Sequence, residues 1–140
     1  MARAEALCRA RALRFTAIRQ ETYALLLRQQ QPLSAYALLD KLERRLGHKL
    51  APLTIYRALD FLVDSGLVHK LETASAFMVC DHPEDRHQSL YLVCTGCGDA
   101  EEVAMPSVAT AIERHARARS FRARRQIVEV QGLCRRCDAA

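Results

Sequence analysis

Apolar side chains recur at helical spacing in the first 65 residues, and two stretches follow that spacing closely. The first opens after Ser34, a good N-cap residue, and ends at Gly47, a residue that suits a helix C-terminus. The second opens at Pro52, which favours the first turn of a helix, and closes at Gly66. Apolar residues at every third or fourth position form one buried face. This part of the chain is therefore predicted to be helical.

The spacing changes after these helices. Residues 67–72 and 76–80 are two short apolar runs separated by Thr-Ala-Ser, a pattern typical of a β-hairpin. Helices followed directly by a small hairpin describe a winged helix-turn-helix, which is a DNA-binding fold. We therefore predict a winged-helix DNA-binding domain over residues 1–80. The polar segment 81–88, which contains a proline, is predicted to be a hinge.

The second half of the chain mixes strands with one helix. Short apolar runs on either side of the first Cys-x-x-Cys predict two strands. A helix is predicted over residues 106–120, with Val108 and Ile112 on its buried side, and residues 125–132 alternate like a strand. The predicted fold class is α+β, with an N-terminal winged helix-turn-helix and a C-terminal α+β domain over residues 89–140.

The formal net charge of +5 lies entirely in the first half of the chain. Residues 1–72 contain 12 Lys and Arg against 7 Asp and Glu, whereas residues 73–140 contain 9 of each kind. A basic domain joined to a neutral one favours a polyanion such as nucleic acid as the partner of the basic domain. On charge alone, the alternative is a solvated basic surface without a partner.

Composition also predicts a cytoplasmic protein. No run of about 18 apolar residues is present, so no membrane span is expected. The Arg-rich N-terminus lacks the continuous apolar stretch of a signal peptide. The six cysteines of such a chain are better explained as metal ligands or redox groups than as disulfides.

Four of the cysteines form two Cys-x-x-Cys pairs that frame the second domain: Cys94 with Cys97, and Cys134 with Cys137. A Cys-x-x-Cys turn brings two sulfurs close enough to bind one ion, and Gly96 and Gly98 allow the tight backbone of that turn. Two such turns complete a tetrahedral shell of four thiolates without an open coordination position. The pattern predicts a structural zinc site. A redox pair or two disulfides would not explain why two matching pairs frame one domain.

A second set of metal-ligand residue types surrounds the predicted hinge: His69, Cys80, His87 and Glu102. One thiolate, two imidazoles and one carboxylate suit tetrahedral zinc better than iron or manganese. Ligands from both domains would fasten the domains in one relative orientation, which is what a sensor requires. His82 competes with His87, and Glu101 with Glu102, because each pair is close in sequence. Each of these residues also has an ordinary explanation as a polar side chain.

The helix that opens at Pro52 is the candidate for reading DNA. Its apolar stripe occupies one face, which leaves Tyr56 and Arg57 for the major groove, with Thr54 beside them. Arginine suits bidentate contact with the edge of a guanine. The alternative is that the tyrosine packs in the core and the arginine contacts phosphate only. Basic residues at the ends of elements are predicted to contact phosphates: Arg14, Arg19, Lys49 and Lys70.

Four segments together resemble the ferric uptake regulator (Fur) family of metal-dependent repressors: SAYALLDKL, PLTIYRALDFLVDSGLVHKLE, CTGCG and GLCRRC. The resemblance runs from about Arg14 to Cys137. Iron-sensing and peroxide-sensing members carry a histidine-rich run shortly before the first Cys-x-x-Cys, whereas this chain has one histidine there, in DRHQSLYLVC. The chain is therefore most similar to the zinc-responsive members.

This resemblance implies a zinc-responsive repressor of zinc-uptake genes, in which zinc is a co-repressor that locks a homodimer in a DNA-binding conformation. It implies two zinc ions per chain, a structural ion on the four cysteines and a regulatory ion on the second set, and it selects His87 over His82. Arg57 and Tyr36 are implied to reach bases of an AT-rich inverted repeat. The C-terminal domain is implied to form the dimer.

Two other kinds of function remain open at this point. A member of the same family could respond to iron, manganese or peroxide. A zinc-dependent hydrolase could instead use His69, Cys80 and His87 around an activated water, with Glu102 as the base. Such an enzyme needs an open coordination position and a substrate pocket. The sequence has no sign of a pocket, so we predict that the protein is not an enzyme.

Overall fold

The computed structural model describes residues 1–83, 89–124 and 126–139. Contacts divide the chain into two compact units, Met1–Asp85 and Arg86–Ala140, which we call the first unit and the second unit. Most of the predicted hinge therefore lies outside the described residues. No helix within the described ranges is long and apolar enough to cross a lipid bilayer.

In its described residues, the first unit contains four helices and a three-stranded antiparallel sheet. The helices are α1 (Ala2–Ala10), α2 (Ala17–Leu27), α3 (Ala35–Leu46) and α4 (Pro52–Asp64). The strands are β1 (Leu33–Ser34), β2 (Val68–Leu71) and β3 (Ala76–Val79), in the order β1-β3-β2. Strands β2 and β3 form the predicted hairpin, which is the wing. This succession of helices and hairpin confirms the predicted winged helix-turn-helix.

Capping explains where α3 and α4 begin and end. The backbone N–H of Ala37 donates to Ser34 Oγ at 3.2 Å, and Gly47 closes α3 in a left-handed conformation with φ of 74°. Pro52 occupies the first turn of α4, and Gly66 takes φ of 77° just beyond its end. The four boundary residues singled out by the sequence therefore have their predicted roles.

Helices α2, α3 and α4 pack around one apolar core, to which the wing also contributes. Its most deeply buried side chains are Leu38, Leu42, Ile55, Leu59, Leu62, Leu67 and Val68. Each such side chain contributes about 1.5–3 kcal/mol relative to an exposed one. Three of these side chains, Ile55, Leu59 and Leu62, come from one face of α4. That face packs against the core, and the opposite face is exposed to solvent.

Helix α1 packs onto the same core. Its cysteine, Cys8, is a buried helix residue, and burial raises the pKa of its thiol, so it is held in the neutral form. Arg11, just beyond α1, donates hydrogen bonds to the backbone carbonyls of Ser65 at 2.9 Å and Pro83 at 3.4 Å. The end of α4 and the start of the predicted hinge are therefore tied to one side chain.

The described residues of the second unit form one three-stranded sheet and two helices. The elements are β4 (Ser89–Cys94), β5 (Ala100–Ala104), α5 (Pro106–Arg117), β6 (Val128–Gly132) and α6 (Arg135–Asp138). Strand β4 lies in the middle, antiparallel to β5 and parallel to β6, and Cys94 pairs with Gly132. The parallel pair requires a crossover, which α5 provides. This arrangement confirms the predicted α+β class.

The prediction for α5 was wrong in two respects. The helix ends at Arg117 and not at residue 120, because Ser120 takes φ of 55°, which a continuing helix does not allow. Ile112 was predicted to be buried but is 37% exposed, and among the described residues of α5 only Ala109 is buried. The small second unit does not cover the whole apolar face of this helix.

Candidate metal centre and nucleic-acid interface

Both Cys-x-x-Cys pairs lie at the same edge of the sheet in the second unit. Cys94 is the last residue of β4, and Cys134 follows the end of β6 by two positions, directly before α6. Because β4 and β6 run in parallel, their ends meet at one edge. The sulfur atoms of Cys94, Cys97, Cys134 and Cys137 all lie within 4.8 Å of one another. The four predicted structural ligands are therefore brought together.

The spacing of these sulfurs can be tested against zinc. A zinc ion lies about 2.3 Å from each thiolate in a tetrahedral shell, which places any two sulfurs about 3.8 Å apart. The Sγ atoms of Cys97 and Cys134 are separated by 3.8 Å. Four sulfurs within 4.8 Å of one another, with one pair at 3.8 Å, fit tetrahedral zinc and leave no coordination position for a substrate.

Polar contacts hold the two cysteine pairs against each other. The backbone N–H of Cys134 donates to the Cys94 sulfur at 3.3 Å, and Thr95 donates from its backbone N–H to the carbonyl of Gly132 at 2.8 Å. Arg136 and Asp99 form an exposed ion pair at 2.9 Å across the two turns. These contacts join the segment after β4 to the segment after β6.

Electrostatics at the cluster favour a bound cation. The backbone N–H of Cys134 is the main reason that the pKa of Cys94 falls to about 6. The pKa of Cys137 rises to about 12, chiefly through its hydrogen bond with the Cys134 sulfur. The surroundings thus stabilise the thiolate form of Cys94 and destabilise the thiolate form of Cys137. A divalent cation would neutralise the repulsion between neighbouring thiolates, so metal uptake would release protons from the thiols.

Gly96 is predicted to be essential for this packing. A Cβ atom added there would lie 2.9 Å from Cys137 Sγ and 3.0 Å from Cys137 Cβ, so the ligating side chain would have to move. We expect Gly96→Ala to weaken zinc binding at this site by about 10- to 100-fold, measured by competition with a chromophoric chelator. Gly132→Ala is the matched control, because a Cβ there meets nothing within 4 Å. Equal zinc affinity in the two variants would contradict the packing argument.

The wing brings together two residues of the second predicted metal site. His69 lies in β2, opposite Met78 of β3, and Cys80 follows β3 directly. A ring nitrogen of His69 and the sulfur of Cys80 lie within 4.8 Å of each other. Cys80 is buried, and its backbone N–H donates to the carbonyl of Leu67 at 3.0 Å. The hairpin thus places a soft thiol and an imidazole side by side.

The other two members of that set are Glu102, a residue of the second unit, and His87. Glu102 is a half-buried residue of β5 and pairs with Tyr91 of β4, whereas its competitor Glu101 is exposed. His87 falls in a segment outside the described residues, and its competitor His82 is exposed. The regulatory role of Glu102 and His87 stays a prediction.

One face of α4 is free of the core and carries the predicted base-reading residues. Tyr56 and Arg57 are exposed, and Thr54 is half-buried beside them. Tyr36, in the first turn of α3, is 77% exposed. Asp60 continues the exposed face one turn further along α4. The tyrosines do not pack in the core, so the alternative that placed Tyr56 there does not hold for this structure.

The four predicted phosphate contacts differ in their surroundings. Arg14 is exposed, whereas Lys49 pairs with Glu43 at 2.7 Å and Lys70 pairs with Glu72 at 2.6 Å. Each paired lysine would have to exchange its carboxylate for a phosphate. The lysine of each pair reaches solvent, and ion pairs at the protein surface contribute little to stability, so the exchange costs little.

Sequence reasoning did not anticipate how Arg19 is held. Its guanidinium lies 3.8 Å from the centroid of the Phe61 ring in α4, and it donates to the carbonyl of Arg14. The Phe61 ring is itself stacked on Phe15. A cation over an aromatic face is stabilised by the ring quadrupole. Spacing along the sequence carries no sign of this contact, because the residues come from separate elements.

Comparison with known proteins places these features in a family context. The family model for the "Ferric uptake regulator family" matches residues 10–131. The zinc uptake regulation protein of Escherichia coli K12 is 36% identical over 140 residues, which covers 98% of this chain and 80% of that protein. The zinc uptake regulation protein of Mycobacterium tuberculosis is 33% identical over 104 residues, covering 74% and 78%.

Two solved structures are similar over nearly their whole length. A zinc uptake regulator in complex with zinc and DNA has a TM-score of 0.94 and 34% identity, covering 99% of this chain and 92% of that one. Holo XcZur has a TM-score of 0.89 and 41% identity, covering 99% and 96%.

Proposed function

Because this chain belongs to the ferric uptake regulator family, we propose that it is a zinc-responsive transcriptional repressor of zinc-uptake genes. The main structural support for zinc as the sensed metal is that ligand atoms of His69 and Cys80 lie close together at the wing. A thiolate beside an imidazole favours zinc, whereas iron and manganese sensors rely on harder, oxygen-rich ligands. The relatives named as zinc uptake regulation proteins support the same choice.

The proposal includes two zinc ions per chain with separate roles. The four cysteines would hold a structural ion that stabilises the second unit. His69, Cys80, His87 and Glu102 would hold the regulatory ion. An ion with ligands from both halves of the sequence would restrict their relative movement, and zinc would in this way act as a co-repressor that locks the dimer in a DNA-binding conformation. Linkage then requires DNA to tighten zinc binding by the same factor by which zinc tightens DNA binding.

The proposed partners are a second copy of the chain and double-stranded DNA. The homodimer would form through the second unit and bind an AT-rich inverted repeat, because a two-fold symmetric protein suits a two-fold symmetric operator. Arg57 and Tyr36 would reach base edges, with Thr54 and Tyr56 beside them, and the basic residues of the first unit would contact phosphates. A repressor of this kind is expected in the cytoplasm.

Catalysis is not part of the proposal, because members of this family are transcription regulators and not enzymes. A hydrolytic zinc site keeps an open position for water, and the four-thiolate cluster has none. Sensing of iron, manganese or peroxide is not favoured either.

The proposal is tested by measuring DNA binding against buffered free zinc, with metal content determined at both ends of the titration. We expect two zinc ions per chain in the DNA-bound state and one in the released state. Iron(II) and manganese(II), buffered over their own ranges, are the controls. Tight DNA binding by the protein with one zinc ion, or equal activation by manganese, would overturn the regulatory assignment.

The two arginines of the DNA-binding surface are expected to behave differently when removed. Arg57→Ala should lose about 1–3 kcal/mol of preference for the operator over random DNA, because arginine reads base edges. Arg19→Ala should weaken binding to both DNAs alike and reduce the salt slope by about one, because it contacts phosphate. Fluorescence anisotropy at several salt concentrations measures both effects. Equal losses on both DNAs for Arg57→Ala would argue against base reading.

A further inference from the structure

We infer that Leu53 reads the methyl group of a thymine in the major groove, which makes it a further specificity-determining residue of this chain. The inference rests on the proposed function, because it requires α4 to enter the groove. Leu53 lies in the first turn of α4 and is 56% exposed. The apolar residues of α4 that pack in or against the core are less exposed: Ile55, Ala58, Leu59 and Leu62 are buried, and Phe61 and Val63 are half-buried. An apolar side chain is therefore presented to solvent at the tip of the helix proposed to read DNA.

Helix geometry places Leu53 on the same face as the predicted base-reading residues. Tyr56 and Arg57 follow it by three and four positions, which is the spacing of neighbours on one helix face. Asp60 lies one further turn along, and all four residues are exposed. Leu53 is thus continuous with the DNA-binding face and not an isolated apolar residue elsewhere on the surface.

Position along the helix favours direct base contact. In helix-turn-helix proteins, the residues at the N-terminal end of the recognition helix contact base edges. Leu53 follows Pro52 at that end, whereas Asp60 and Asp64 lie towards the other end. A carboxylate is repelled by the phosphate backbone. The apolar end of this face is therefore the end suited to deep entry into the groove.

The chemistry of the groove identifies the group that Leu53 would contact. Base pairs present hydrogen-bond donors and acceptors in the major groove, and the C5-methyl group of thymine is the apolar exception. A leucine side chain makes no hydrogen bonds, so it gains nothing from the polar edges. Contact with the methyl group buries apolar surface on both partners. Thymine is thus the base that this side chain distinguishes from the other three.

The test uses deoxyuridine, which differs from thymidine only by lacking the methyl group. The zinc-loaded full chain first selects a duplex from a random DNA pool, and each thymine of one half-site is then replaced by uracil in turn. We expect one replacement to weaken binding of the wild type by about fourfold, the effect of one buried methyl group. Leu53→Ala should bind the thymine and uracil forms of that position equally.

Controls separate this inference from the proposed function. Leu27→Ala removes another exposed leucine of the first unit and should keep the wild-type response to uracil. Thermal unfolding of both variants checks that the first unit stays folded. A Leu53→Ala protein that still selects the duplex and keeps every uracil penalty would overturn the inference alone. A wild type that shows no zinc-dependent preference for any duplex would overturn the proposed function and the inference with it.

Discussion

The Cys97→Ser variant is expected to lose its folded second unit while the first unit remains folded. A structural zinc ion contributes about 10–16 kcal/mol of apparent binding free energy, whereas a small domain is stable by only about 5–15 kcal/mol. The second unit has little apolar core of its own, because the buried side chains among its described residues are Tyr91, Val93, Cys94 and Ala109 alone. Loss of one thiolate should therefore remove more free energy than the sheet can supply.

Zinc content, circular dichroism and limited proteolysis measure this effect. We expect the structural ion to be absent, the β4–β6 region to be cleaved rapidly, and the residues of the first unit to remain protected. Sedimentation should show loss of the dimer. Arg135→Ala is the matched control, because it changes an exposed residue between Cys134 and Cys137 without touching a sulfur. A Cys97→Ser protein that resists proteolysis and stays dimeric would show that the four-cysteine cluster is dispensable for folding.

The Cys80→Ser variant is expected to fold normally and to bind DNA weakly at every zinc concentration. Serine has a similar shape, but its hydroxyl stays protonated at neutral pH and is a poor ligand for zinc. The backbone hydrogen bond from Cys80 to Leu67 does not involve the sulfur, so the wing should keep its form. One bound ligand typically changes the affinity for a second ligand by about 5- to 150-fold. We expect zinc to raise the affinity of the wild type for DNA by a factor near the upper end of that range. The variant should show less than about threefold tightening, because without the thiolate the regulatory ion keeps only the His69 imidazole as a ligand from the wing.

DNA affinity as a function of buffered zinc measures the response, with zinc content as a second readout. The variant should retain the structural ion and lose the regulatory one. Cys8→Ala is the matched control, because Cys8 is a buried thiol of the same unit that belongs to neither cluster of metal-ligand atoms found in the described part of the chain. Full zinc-dependent repression by Cys80→Ser would overturn the sensory role of this residue.

The features that the sequence predicted well are those with local causes. Ser34, Gly47, Pro52 and Gly66 determine helix ends through capping and backbone conformation, which depend on neighbouring residues only. The wing was recognised from a change of apolar spacing. The cysteine cluster was recognised because two identical short turns frame one domain. Each of these signals is a short pattern that can be recognised without knowing how the chain packs.

Features that depend on residues far apart in sequence were not predicted. Strand β1 has two residues and pairs with β3, and such a short strand has no period to detect. The parallel pairing of β4 with β6 depends on how the crossover packs, which no local pattern specifies. The exposure of Ile112 was missed because an amphipathic pattern shows which face is apolar and not whether anything covers it. The contact of Arg19 with Phe61 was missed because the two residues come from separate helices.

The parallel pairing of β4 and β6 has a consequence for the rate of folding. Cys94 pairs with Gly132, 38 positions further along the chain, so the pairing of the central strand β4 with β6 is a long-range contact. Contacts between distant residues form slowly, because the loop between them must close before any stabilising interaction is gained. An ion bound to both cysteine pairs would close that loop before the strands meet. Refolding of the second unit from denaturant should therefore speed up with zinc concentration until delivery of the metal no longer limits it.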